Sequence, residues 1–87
     1  MQESDLLNLG FKRITEYDPM DIEHPEWYYY ELSIGDLHII STADYTAKKN
    51  GFWHVMFNIY DSDFIIERPK TLQNFINILD SSLLEYI

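Results

Sequence analysis

The sequence predicts an α+β, two-layer domain: a four- to five-stranded antiparallel sheet, a C-terminal helix packed on one face and a short N-terminal helix. Three patterns carry this expectation. The runs WYYYELSI and LHIISTA, rich in β-branched and aromatic residues, flank Gly35-Asp36, a two-residue hairpin turn in which glycine supplies the positive φ. The stretch FWHVMFNIY alternates like a half-buried strand, with Trp53, Val55, Phe57 and Ile59 as its better core face. From about Thr71 onward, Leu72, Phe75, Ile76, Leu79 and Leu83 follow the helical period.

Taken in order, Ser4 can cap a short helix carrying Leu6, Leu7 and Leu9, with Gly10 as its stop. Phe11 to Thr15 reads as a short strand. Glu16 to Glu26, with Pro19 and Pro25, reads as a long loop, because proline removes a donor and biases its predecessor toward extended geometry. In the hairpin, pairing Ile34 with Leu37 sets Leu32 against Ile39, Tyr30 against Ser41 and Tyr28 against Ala43, a continuous face suited to the core. Asp44 to Gly51 reads as a polar connection. The strand after it must match like faces, which sets Ser41 against Val55 and Ile39 against Phe57. Asp61-Ser62-Asp63 then turns into a last strand over Phe64 to Glu67, and Thr71 caps the closing helix.

Residues 1–87 make a single domain, without repeats, low-complexity tracts or linkers. A hydrophobic content of 46% with 16% aromatics is too rich for a disordered chain. The absence of cysteine removes disulfides and thiolate chemistry and makes a cytoplasmic location the default. No apolar run approaches the roughly 18 residues of a membrane span.

Charge is the unusual feature. Fifteen acids against six bases give a net −9, and from Ile14 to Ala47 there are eight acids without a single Lys or Arg. Phosphate recognition runs on clustered Lys and Arg, so direct nucleic-acid binding is disfavoured, whereas a basic protein would be attracted.

The register also lists what the second sheet face displays: Trp27–Asp44–Phe52, Tyr29–Thr42–His54, Glu31–Ile40–Met56 and Ser33–His38–Asn58. Such a face is normally plainly polar, and this one is half aromatic and aliphatic. Either the N-terminal helix folds back over it, or it is a partner or homodimer interface, or it is a tolerated patch. The candidate partner site combines the acidic segment Asp18, Asp21, Glu23, Glu26 and Glu31 with Trp27, Tyr29, Ile40, Phe52 and Met56.

Catalytic and metal chemistry find little footing. His24, His38 and His54 lie in no metal-ligand spacing, and Asp18, Asp21 and Glu23 lack a calcium-loop pattern. Ser33, His38 and Glu31 share a face, yet no nucleophile elbow accompanies them. The three glycines are too dispersed for a phosphate loop. No enzyme activity and no cofactor is therefore expected.

The segments LLNLGFKRI, YYYELSIGDL, NGFWHV and TLQNFINIL resemble small acidic proteins encoded by phages and mobile elements, a group that includes anti-CRISPR inhibitors. That resemblance implies an inhibitor that occupies the basic surface of a host nucleic-acid-processing protein, such as a CRISPR effector. The expected function is thus a non-enzymatic protein-binding module. The alternatives are a homodimerising structural domain, or a metal- or small-molecule-responsive accessory domain using His38, His54 and Glu31.

Overall fold

The Gly35-Asp36 hairpin organises the sheet. In the computed structural model, which describes residues 1–85 and side chains up to residue 80, Gly35 adopts φ 59° and the flanking strands pair as Ile34 with Leu37 and Leu32 with Ile39. A positive φ at the first central position matches the type II′ turn that suits strand twist. The elements run α1 (Glu3–Asn8), β1 (Lys12–Tyr17), β2 (Glu26–Ile34), β3 (Leu37–Ser41), α2 (Asp44–Asn50), β4 (Val55–Ile59), β5 (Ser62–Ile66) and α3 (Pro69–Glu85). The five strands form one antiparallel sheet in sequence order, β1-β2-β3-β4-β5. This is the α+β architecture expected.

Like-face matching sets the β3–β4 register: Ser41 pairs with Val55 and Ile40 with Met56. Tyr30, Ile39, Val55 and Phe57 are then buried on one face beneath α1 and α3. From α1, Leu6 is fully buried, and the Tyr30 hydroxyl donates to the Glu3 carboxylate. From α3, Leu72 and Ile76 are buried and Phe75 stacks on Phe57 with ring centroids 4.6 Å apart. Phe75 and Leu79 are half-buried, as the stripe requires, while Leu83 lies outside the described side chains.

Several local expectations change. Gln2 rather than Ser4 precedes α1, its N–H donating to Asp5 Oδ2 at 2.8 Å, and Ser4 lies inside the helix. The stop is a Schellman arrangement: Gly10 N–H donates to Leu7 O and Phe11 N–H to Leu6 O, both at 3.1 Å, with Gly10 at φ 92°. β1 runs on to Tyr17, which shortens the expected loop to residues 18–25. β4 starts at Val55 instead of Phe52, and the last turn falls on Tyr60-Asp61, one residue earlier than read. Pro69 opens α3, the helical position where its missing N–H costs nothing, and Arg68 O accepts from Leu72 N–H at 3.1 Å. Thr71 is therefore inside α3 and does not cap it.

The largest correction is α2. Asp44 to Gly51, read as a polar connection, forms a helix whose Ala47 is buried and whose C-terminal Gly51 adopts φ 85°.

Candidate functional site

α1 and α3 both sit on the core face, which leaves the opposite face of the sheet uncovered. The expectation that the N-terminal helix might fold back over it is thereby excluded: Leu6 packs among Phe11, Tyr30 and Ile39. The uncovered face carries Ile14, Tyr29, Ile40, Met56 and Ile65, with Ile40 at 40% and Ile65 at 60% exposure. Trp27 and Tyr29 point to this side, whereas Tyr28 and Tyr30 pack around Trp53 in the core, with centroids 6.0 and 5.4 Å from its rings.

A groove of about 380 Å³ opens on this face. Its origin is a divergence of two strands. β2 and β3 pair only from Ile34–Leu37 to Glu31–Ile40, after which the chain leaves β3 for α2. Two backbone donors of β2 consequently lack ladder partners, and side chains replace them. Ser41 Oγ accepts from Tyr30 N–H at 2.8 Å, and Asp44 Oδ1 accepts from Tyr28 N–H at 3.0 Å. Buried donors must be satisfied, so these two short polar side chains make the opening stable.

Aromatic rings wall the groove. Trp27 lies 5.6 Å from Tyr29 at a 33° tilt and meets Tyr45 of α2 edge to face, 6.2 Å apart at 80°. His24 from the loop stacks on Tyr45 at 3.9 Å and 7°, which holds that ring in place. Ile40, Met56 and Thr42 also line the groove, and Glu16, directly across from Trp27 in the β1–β2 register, stands at its margin. Thr42 is only 6% exposed, and its buried hydroxyl has no hydrogen-bond partner among the described residues. Burial, reinforced by the Glu16 and Glu31 carboxylates, raises the Tyr29 phenol above its usual pKa and keeps it neutral.

The structure gathers some expected site residues and disperses others. Trp27, Tyr29, Ile40 and Met56 line one groove. Phe52 is not among its lining residues: Asp44 begins α2, so the row Trp27–Asp44–Phe52 never forms, and Phe52 lies near His54 instead. Glu31 belongs to a separate depression of about 310 Å³ with Gly10, Lys12, Ile14 and Ser33. Asp18 and Asp21 hold the loop together, Asp18 Oδ1 accepting from Met20 N–H at 3.0 Å and Asp21 Oδ1 from Glu23 and His24 N–H at 3.1 and 3.0 Å. Glu23 and Glu26 are exposed. Tyr45 and Glu16 were not assigned to this site by the sequence, which placed Thr42 on the face without counting it among the partner residues; the helix signal around Asp44 and Gly51 would have drawn attention to Tyr45.

Ser33, His38 and Glu31 do meet. Ser33 Oγ lies 2.9 Å and Glu31 Oε1 3.1 Å from the same atom, His38 Nδ1. A nucleophile–base–acid relay needs the two partners on opposite ring nitrogens, so this cluster is a surface hydrogen-bond set. Among the described residues, no three His, Asp or Glu side chains converge as a metal site requires, and no helix is long and apolar enough to cross a membrane. Comparison of the chain with family models, curated proteins and solved structures found no match.

Proposed function

We propose that this protein is a non-enzymatic binding module that engages a basic protein surface through the uncovered sheet face. The observation that carries the reading is the aromatic groove of Trp27, Tyr29, Ile40 and Met56, the first three of which lie in a stretch from Ile14 to Ala47 with eight acids and no Lys or Arg. An apolar patch with a polar rim is the anatomy of an interface, and aromatic and Met side chains are the types enriched there. The acidic surroundings select the partner's sign, raising the association rate of a cationic surface and repelling nucleic acid. A second copy of the chain would bring net charges of −9 together, which disfavours the homodimer.

A protein whose basic surface ordinarily holds RNA or DNA fits this charge pattern, and an inhibitor of such a nucleic-acid-binding effector, acting in the cytoplasm, is the role we favour. The test is retention from a nuclease-treated cell lysate on the wild-type protein, on Glu23→Lys/Glu26→Lys and on Ile40→Asp, each first shown to unfold cooperatively. Basic proteins held by wild type and lost from both variants support the reading. The same proteins held by all three would refute it, and recovery of the bait alone would return the homodimer to consideration.

A further inference from the structure

The groove has a specific chemical character beyond being apolar. Trp27, Tyr29 and Tyr45 present three rings, two of them nearly perpendicular, and Glu16 supplies a carboxylate at the margin. Aromatic faces attract cations electrostatically, and an adjacent carboxylate completes the charge match.

We infer that the groove seats an arginine side chain of the basic partner, its guanidinium against the Trp27–Tyr45 walls and its N–H groups directed to the Glu16 carboxylate. The inference rests on the reading of this face as the contact surface and assigns the group that fills it. Arginine is favoured over lysine on three grounds. The planar guanidinium stacks on rings and offers five donors in a fixed fork, whereas an ammonium is a compact, strongly hydrated point charge. The walls are aromatic rings, whose flat faces suit a flat group. Where both cations face one ring of this chain, the guanidinium packs closer: Arg13 Cζ lies 3.5 Å and Lys48 Nζ 5.8 Å from the centroid of Tyr28.

The test uses the full-length protein and three small probes: N-acetyl-arginine N-methylamide, its lysine counterpart and its uncharged citrulline counterpart. The readout is the pair of tryptophan indole signals in ¹H–¹⁵N spectra, Trp27 in the groove and Trp53, 7% exposed in the core, as the internal control. The expected result is a weak, saturable shift of Trp27 but not Trp53, strongest with arginine, smaller with lysine and absent with citrulline. Tyr45→Ala and Glu16→Gln should each weaken arginine binding, by roughly two- to thirtyfold for the lost ring contact, with the Trp53 signal unchanged to certify the fold. No saturable Trp27 shift, an equal response to citrulline, a stronger response to lysine, or indifference to Tyr45→Ala would overturn the assignment. Should the arginine probe fail while basic proteins are still lost from Ile40→Asp, the binding-module reading stands and only the arginine pocket falls. Saturable binding at Trp27 with no basic protein retained would uphold the pocket and count against the module.

Discussion

The backbone N–H of Tyr28 donates to Asp44 Oδ1 across 16 residues at 3.0 Å, tying strand β2 to the first turn of α2. The same carboxylate lies 3.6 Å from Lys48 Nζ one turn on. One side chain therefore satisfies a strand donor, complements the positive end of a helix and holds Tyr45 beside Trp27. Asp44→Ala should lower stability by about 1–3 kcal/mol, the cost of leaving a part-buried N–H unpaired. Asp44→Asn, which keeps the acceptor, should lose less. Urea titration gives both values, and Trp27 fluorescence should report the loosened groove in Asp44→Ala.

Among the described residues, Leu6 and Leu72 are the two helix side chains buried completely in the core. Truncating either to alanine should cost about 2–5 kcal/mol, a large share of the marginal stability of a domain of this size. Leu7, one position from Leu6 and 55% exposed, is the control. Leu7→Ala should shift the urea midpoint little, and a loss comparable to that of Leu6→Ala would mean that α1 is oriented differently.

Tyr30 makes the fold sensitive to alkali. Burial, and then its hydrogen bond to Glu3, push its phenol up to about 12 from an ordinary 10. Between those values the unfolded chain releases the Tyr30 proton while the native state retains it, so stability falls as pH rises. It is fully present below pH 10 and declines through about pH 12, by at most about 1.4 kcal/mol per pH unit for one proton. Tyr30→Phe should flatten that decline in alkaline titrations followed by circular dichroism, at the expense of the Glu3 contact.

The β4–β5 turn places Tyr60 at φ 51° and Asp61 at φ 63°, both in the left-handed region. Two-residue turns of this kind prefer Asn-Gly, since side chains with a Cβ resist positive φ. Tyr60 is 97% exposed and contributes no packing that would offset the strain. Tyr60→Asn/Asp61→Gly should stabilise the protein by roughly 1 kcal/mol and raise Tm by several degrees. An unchanged Tm would show that the turn relaxes in solution.

The hairpin and the β3–β4 register were legible because a side-chain period of two leaves few ways to bury Leu32, Ile39, Val55 and Phe57 together. The long helix was legible from Leu72, Phe75 and Ile76. α2 was not, because seven residues turn only Ala47 into the core and display no apolar stripe. Its signature was instead at its ends: Asp44 in the first turn, Lys48 and Lys49 in the last, and Gly51 beyond. The aromatic groove was half legible. Alternation placed Trp27 and Tyr29 outward, but the opening between β2 and β3 depends on Ser41 and Asp44 replacing ladder bonds, a tertiary arrangement with no local pattern. Phe52 was misplaced for the same reason, since a regular ladder was extended past the point where β3 ends.

Each strand of the sheet pairs with the strand synthesised immediately before it. The sheet can accordingly grow hairpin by hairpin as the chain leaves the ribosome, without waiting for a distant segment, and short loop closures of this kind favour fast assembly. Its core face is a different matter, because Leu72, Phe75 and Ile76 come from the last quarter of the chain. Leu6 of α1 is made early and can cover Ile39, but Phe57 stands open until Phe75 arrives. Chains stalled before residue 69 would leave part of the core face open as well as the outer face, making the final helix the step that closes the core.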